Sequence, residues 1–306
     1  MNSVFFDPGL SDDARRESVY AGQLLVLSPA PSSLALVELA RELISDAFAG
    51  RDPEQAQHEM PVEEYAALLA VLKPKFIHHP RAKKCLQGIL RELGCDLEKT
   101  YFDVPRMRTA TSSNYLTSGI AYAFHPHRDT WYSAPLCQIN WWMPIYPIEP
   151  GNSMAFHPRY WSTAVRNGSN EYNYAEWTQT SRKEAARHIK EDTRKQPRPE
   201  EEIELDPQIR LLPPPGGMIV FSAAQLHSTV PNQTGRTRFS IDFRTVHMDD
   251  VLGERGAPNV DSRCTGTTMR DYLRATTLEH IDEEICRRYD PGPRSPVAKV
   301  AEMIVG

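Results

Sequence analysis

Cysteine is scarce in this chain and badly placed for structural work. The five residues, Cys85, Cys95, Cys137, Cys264 and Cys286, are odd in number, widely spread and never arranged as Cys-x-x-Cys. That excludes a disulfide framework and a thiolate zinc site, and free thiols in a reducing cytosol are expected. Long apolar runs are also missing: no uninterrupted stretch reaches the roughly 18 residues of a membrane span. The N-terminus, MNSVFFDPGLSDDARRESVY, has no basic segment leading into an apolar one, so a cytoplasmic protein without targeting is expected. An excess of positive charge is lacking too, with a formal net charge of -5 and a pI near 6.1. Nucleic acid and anionic membrane surfaces are therefore not expected partners. No internal repeat is found.

What is present is an ordinary soluble composition, 40% hydrophobic and 25% charged over 306 residues, enough for one sizeable core. The expectation is a single domain over 1–306, acting as a monomer or homodimer. Residues 33–49, SLALVELARELISDAFA, space Leu34, Leu36, Val37, Leu39, Ile44 and Phe48 at helical intervals behind Pro31, which predicts a helix. A second helical pattern starts at Pro61 and a third covers about 81–93, so residues 1–94 are read as mainly helical support. After Gly94 the pattern changes to short β-prone runs: YFDVPRMRTATS, GIAYAFHPHRD, LCQINWWMPIY, NSMAFH, GGMIVFSA and RFSIDFRTVH. These predict an antiparallel barrel or sandwich over 95–250. A polar, charge-rich insertion at about 166–210 is expected to carry one exposed helix, either as a lid or as a surface excursion. A helix is predicted over about 267–289, within a C-terminal helical extension spanning 251–306.

Chemistry concentrates in AFHPHRDTW, where His127 and Asp129 stand one residue apart just beyond an expected strand. Both side chains then point to one side of an extended backbone. A further imidazole, His227, follows 100 positions later (227 minus 127) in MIVFSAAQLHSTV. Two imidazoles and a carboxylate on one face of iron(II) leave about three positions open, sufficient for a chelating keto acid and dioxygen. Alone, His-x-Asp is also the pattern of a surface hydrogen-bonded pair. The next strand carries the weight: Arg238 follows His227 by 11 positions (238 minus 227), and Ser240 shares its face. A guanidinium fork matches a carboxylate in two parallel hydrogen bonds, and the neighbouring hydroxyl adds a third.

In that order, HRD at 127–129, His227 and Arg238, the sequence resembles the phytanoyl-CoA dioxygenase-like family of iron(II) and 2-oxoglutarate oxygenases. INWWMPI, EPGNSMAFHPRYW and PPPGGMIVFSAAQLHSTVPN extend the resemblance over about 119–247. It implies a double-stranded β-helix, a jelly-roll or cupin-like barrel, mainly β with flanking N-terminal helices and a C-terminal helix. It also implies iron(II) at His127, Asp129 and His227, with 2-oxoglutarate as cosubstrate, O2 as oxidant, and succinate and CO2 as products. Thr229 falls where the family often has a hydroxyl touching the cosubstrate. With Asp129 present the resemblance points to a hydroxylase of a small molecule rather than a halogenase, and secondary metabolism is the setting implied. The chain departs from the family in FHPRYW and in the long insertion.

Other residues compete for roles. His125 suggests a cupin-like His-x-His, but no glutamate follows, so an orienting role or loop packing is expected. His157 is read as structural. Arg236 is a rival to Arg238, whereas Arg244 lies about 20 Å further along the strand. Asn140 is the one polar residue of LCQINWWMPI expected to face the cosubstrate. Arg106, Arg108, Tyr122 and Trp131 are placed near the barrel entrance, the arginines as surface pairs. A metal-dependent cupin enzyme needing no keto acid, and a non-catalytic β-barrel ligand-binding module, are the alternative functions.

Overall fold

The computed structural model describes residues 3–117, 125–180 and 196–290. The expected strand GIAYAF, with Tyr122, lies outside the described residues, as do 181–195 of the insertion and the proline-rich PGPRSPVAK.

Helices α1 (Asp12–Tyr20), α2 (Pro31–Phe48), α3 (Val62–Ile77) and α4 (Pro80–Glu92) form the N-terminal layer. Pro31 and Pro80 sit at first helical positions, where the missing N–H has no intrahelical partner to lose. The Ser33 hydroxyl accepts from the Ala30 N–H at 2.9 Å. This third of the chain is not purely helical, however. Strand β1 (Val4–Phe6) runs parallel to β2 (Leu24–Leu27), and β2 joins the main sheet antiparallel to β8 (Met218–Ser222). LLVL is a four-residue apolar run buried on both faces, which carries no periodicity to mark it as a strand.

The other strands are β3 (Thr100–Phe102), β4 (Arg106–Ala110), β5 (Ile139–Pro144), β6 (Met154–Phe156), β7 (Ile209–Arg210), β9 (His227–Thr229), β10 (Arg238–His247) and β11 (Leu273–Arg274). An eight-stranded sheet runs β1-β2-β8-β5-β10-β3-β11, with β4 also paired to β10. A three-stranded sheet runs β7-β6-β9. The fold is thus mainly β with flanking helices.

Strand parity sorts the side chains. Ile139, Trp141 and Met143 of β5, with Phe239, Ile241 and Phe243 of β10, join α2, α3 and α4 in the largest core. Trp142 of β5 and Ile219 and Phe221 of β8 pack with Met154 and Phe156 of β6, between the two sheets. The opposite face of β10, carrying Arg238, Ser240, Asp242 and Arg244, is left for polar work.

The C-terminal region departs from expectation. No continuous helix spans 267–289; the segment divides into a 3-10 turn (Met269–Asp271), β11 and the short α7 (Glu283–Arg288). Leu273 and Arg274 instead pair with Phe102 and Tyr101 of β3, and Leu278 takes a positive φ of 62°. Extra ladder hydrogen bonds at a sheet edge win over helical propensity here. Helix α6 (Met248–Leu252) and, in the insertion, α5 (Tyr174–Thr180) complete the set. No helix among the described residues is long and apolar enough to cross a membrane.

Candidate metal centre

His127 and His227 are backbone partners before they are anything else. They form an antiparallel bridge, His127 N–H donating to His227 O at 2.9 Å and the reverse bond measuring 3.0 Å. Directly opposed residues put their side chains on one face, and the two rings stand 4.4 Å apart between centroids. Asp129 reaches the same side because the residue between points the other way. Arg128 is buried, donating to the carbonyls of Ala224 and Tyr160 and, through Nε, to Asp261 at 3.1 Å.

Each imidazole is oriented by its rear nitrogen. Nδ1 of His127 donates to His125 O at 2.7 Å, and Nδ1 of His227 to Gln225 O at 2.9 Å. With the hydrogens there, both Nε2 lone pairs face inward. Nε2 of His127 lies 3.4 Å from Asp129 Oδ1, and Nε2 of His227 lies 3.9 Å from it. The three ligand-type atoms fall within 4.8 Å of one another, a set that suits one divalent metal with positions left open.

The charge states agree with that use. Burial, reinforced by the nearby His127, pushes His227 down to about 3, so its imidazole is neutral. Burial works against the Asp129 carboxylate. The contact with His127 and the charge of Arg244 outweigh it and hold the group well below the usual carboxylate range.

Asp129 Oδ2 is fixed from behind by Asn140 Nδ2 at 2.9 Å and Gln138 Nε2 at 3.2 Å. Gln138 in turn accepts from the Tyr272 hydroxyl at 2.7 Å. Asn140 therefore has its amide on the carboxylate of the triad. Arg244, set aside on distance from Arg238, belongs to this end: its Nε lies 3.8 Å from Asp129 Oδ2 and its Nη1 3.0 Å from Asp103.

The triad opens into a cavity of about 380 Å³. Thr229 lines it, two residues beyond His227 on β9, and Arg238 lines it from β10. Arg238 is buried, spans Trp142 at 5.5 Å and donates Nη1 to the carbonyls of Asn152 and Ser153. Its Nε and the neighbouring Ser240 Oγ are buried with no hydrogen-bond partner among the described residues. Burial pushes the Arg238 guanidinium down to about 10, so it remains a cation at neutral pH, with no carboxylate bonded to it among the described residues.

The remaining sequence candidates separate cleanly. His157 donates Nδ1–H to Leu205 O and pairs Nε2 with the Ser228 hydroxyl, each at 3.0 Å, so both ring nitrogens are occupied within the fold. Arg236 stays outside, half-exposed near Glu54. Trp131 is buried on Asp261 at 2.6 Å. Arg106 and Arg108 do line the cavity, paired with Asp103 and Asp242. Lys73, Asp103, Asp242 and the insertion residues Tyr172, Tyr174 and Trp177 line it as well. No local motif marks these; only the Arg-x-Arg alternation of β4 against Asp242 and Arg244 on β10 hinted at a charged face.

No known family's profile matches the chain, nor does any curated protein. Among solved structures, the chain is similar to EvdO2 from Micromonospora carbonacea var. aurantiaca, at 13% identity over 78% of this chain and 91% of that one, with a TM-score of 0.45. It is also similar to ThoJ, described as a non-heme monooxygenase, at 14% identity over 72% and 71% of the two chains and a TM-score of 0.36. A third is SnoN from nogalamycin biosynthesis, described as a non-heme alpha ketoglutarate dependent epimerase, at 14% identity over 82% and 98% and a TM-score of 0.36. These likenesses are distant, and the chemistry of the site follows from its own side chains.

Proposed function

We propose that the chain is an iron(II)- and 2-oxoglutarate-dependent oxygenase that hydroxylates an unactivated C–H bond of a small molecule, releasing succinate and CO2. The observation that carries this reading is the pairing, in one cavity, of three convergent ligand atoms with a buried cation and hydroxyl that still need an anion. The two sheets enclosing that cavity suit a double-stranded β-helix, working as one domain over 1–306. Residues 1–94 support it, 95–250 form its core and 251–306 extend it.

The residues fit the missing groups. Iron(II), when bound, would bring 2-oxoglutarate and dioxygen together, so that dioxygen, as the oxidant, could be used against both the keto acid and the C–H bond. His127 and His227 each offer an Nε2 lone pair, and Asp129 offers one oxygen while Asn140 and Gln138 hold the other. Arg238 binds the far carboxylate of 2-oxoglutarate through its fork, Ser240 adds a hydroxyl, and Thr229 contributes another beside His227. Tyr132 and Tyr172, stacked edge to face at 5.3 Å, shield the open side from water.

Anaerobic titration with iron(II) and then 2-oxoglutarate should develop a visible charge-transfer band, and oxygen should then convert labelled 2-oxoglutarate to succinate. Asp129→Ala should abolish the band. Arg238→Gln should weaken 2-oxoglutarate about a hundredfold, the scale of stranding one partner of a buried charge pair. A cupin enzyme without keto acid would be untouched by Arg238→Gln, and a passive ligand-binding barrel would take up no stoichiometric iron; either result sinks the proposal.

A further inference from the structure

Behind the Asp129 carboxylate, a run of buried side chains passes hydrogen bonds in one direction. An ionised carboxylate can only accept, so the amides that touch it must turn their nitrogens towards it. Asn140 does so at 2.9 Å and Gln138 at 3.2 Å, both on Oδ2. Gln138 Nε2 also donates to Asn140 Oδ1 at 2.8 Å, which fixes the Asn140 amide the same way round. Gln138 Oε1 is then left pointing backwards, buried, and needs a donor. The Tyr272 hydroxyl supplies it at 2.7 Å. Burial, with the charge of Asp103, holds this phenol well above its ordinary value, so the proton it donates stays in place.

Tyr272 arrives from the C-terminal region. It follows the 3-10 turn Met269–Asp271 and directly precedes β11, whose pairing with β3 fixes the adjoining backbone. Its ring belongs to the buried cluster of Tyr101, Cys137 and Met269. It is 1% exposed and is not among the described residues that line the cavity. Its hydrogen-bonded route to Asp129 therefore runs through Gln138.

Building on the reading of His127, Asp129 and His227 as a metal triad, we propose that Tyr272 is a positioning residue for the metal: through Gln138 and Asn140 it pins Oδ2 of Asp129 and leaves Oδ1 to ligate. Oδ1 is the oxygen that faces Nε2 of His127 and of His227, at 3.4 and 3.9 Å. A carboxylate that offers one oxygen keeps the remaining metal positions open, whereas one released at Oδ2 is free to present both. The edge strand that stands where a helix was expected thus has a task at the metal.

The test reads metal binding rather than turnover. Cobalt(II), whose visible spectrum responds to the geometry of its ligands, is titrated anaerobically into the full chain. Tyr272→Phe should weaken cobalt(II) about tenfold, the low end of the range for a residue that orients a metal ligand, and should shift the spectrum. Tyr101→Phe removes a hydroxyl of the same cluster, one that accepts from Arg274 at 2.9 Å. It should leave the affinity within about twofold and the spectrum unchanged. Gln138→Met should weaken cobalt(II) at least as much as Tyr272→Phe. Adding Tyr272→Phe to Gln138→Met should then change the affinity by less than about twofold, because the phenol has no amide left to hold. Unchanged affinity and spectrum in Tyr272→Phe, losses that add in the double variant, or an equal loss in Tyr101→Phe each overturn the proposal. If Asp129→Ala binds cobalt(II) as tightly as the unaltered chain, the metal reading falls with it. If Asp129→Ala abolishes binding while Tyr272→Phe leaves it intact, the positioning role alone is lost.

Discussion

Two buried cations in one cavity show how much a residue's surroundings decide its work. Arg238 stays charged at neutral pH, since burial pushes its guanidinium down only to about 10. Its enclosure therefore creates a standing demand for an anion. Lys73 can yield instead: burial first, then the charge of Arg108, pushes its ammonium down to about 7 from an ordinary 10.5. The folded chain thus gives up a proton that the unfolded chain keeps between those values, so the unfolded state binds more protons there and stability rises with pH. The cost of enclosing Lys73 is present in full below pH 7 and fades as pH climbs towards 10.5. Replacing it tests this directly. Lys73→Met should raise the melting temperature at pH 6, and the gain over the unaltered chain should shrink steadily by pH 9. A gain that is independent of pH would mean that packing, not charge, limits the site.

At the scale of elements, β10 was the most readable piece of the chain. RFSIDFRTVH alternates polar and apolar from Arg238 to Arg244, and the strand observed is Arg238–His247. The face it offers the helices and the face it offers the cavity follow from that alternation alone. Adjacent residues on it should therefore fail differently. Phe239→Ala, in the core against Phe48 and Tyr146, should cost about 3–5 kcal/mol in urea melts. Ser240→Ala should leave stability nearly unchanged, since its buried hydroxyl has no partner to lose among the described residues, yet should weaken 2-oxoglutarate. Equal losses of stability would contradict the assignment of faces. The β2 strand and the broken C-terminal segment were not readable in this way. Whether LLVL or LR becomes a strand depends on a distant edge, Val220 for Leu25 and Phe102 for Leu273, and no local period encodes that. The metal triad shares the difficulty. His127 and Asp129 are unremarkable in their own loop, and only the spacing of His227 to Arg238 made them persuasive. The bridge that unites the two histidines joins positions 100 residues apart. Asp103, Lys73 and the insertion aromatics, brought in from separate elements, left no sequence signal.

The whole molecule is arranged so that its candidate metal ligands lie on a seam between the two sheets. His227 lies in β9 of the small sheet, His127 bridges to it from a loop, and Asp129 is tethered to β5 of the large sheet through Asn140. A metal gripping all three therefore clamps the two sheets together, and the unfolded chain cannot reproduce that geometry. A ligand that binds only the folded state stabilises it by about 2.7 kcal/mol at a hundred times its dissociation constant. For a chain of this size that is a rise of about 5 °C in melting temperature. The two ligands should act in order. Iron(II) under nitrogen should give the first increment by itself, because the three donors are already aimed. 2-Oxoglutarate should add a second increment only after the metal, because the proposed function has Arg238 holding one end of it and the metal the other. Asp129→Ala should remove both increments, and Arg238→Met only the second. If 2-oxoglutarate raised the melting temperature as much without metal as with it, the two ends of the cavity would be independent sites, and the seam would not be what the cosubstrate spans.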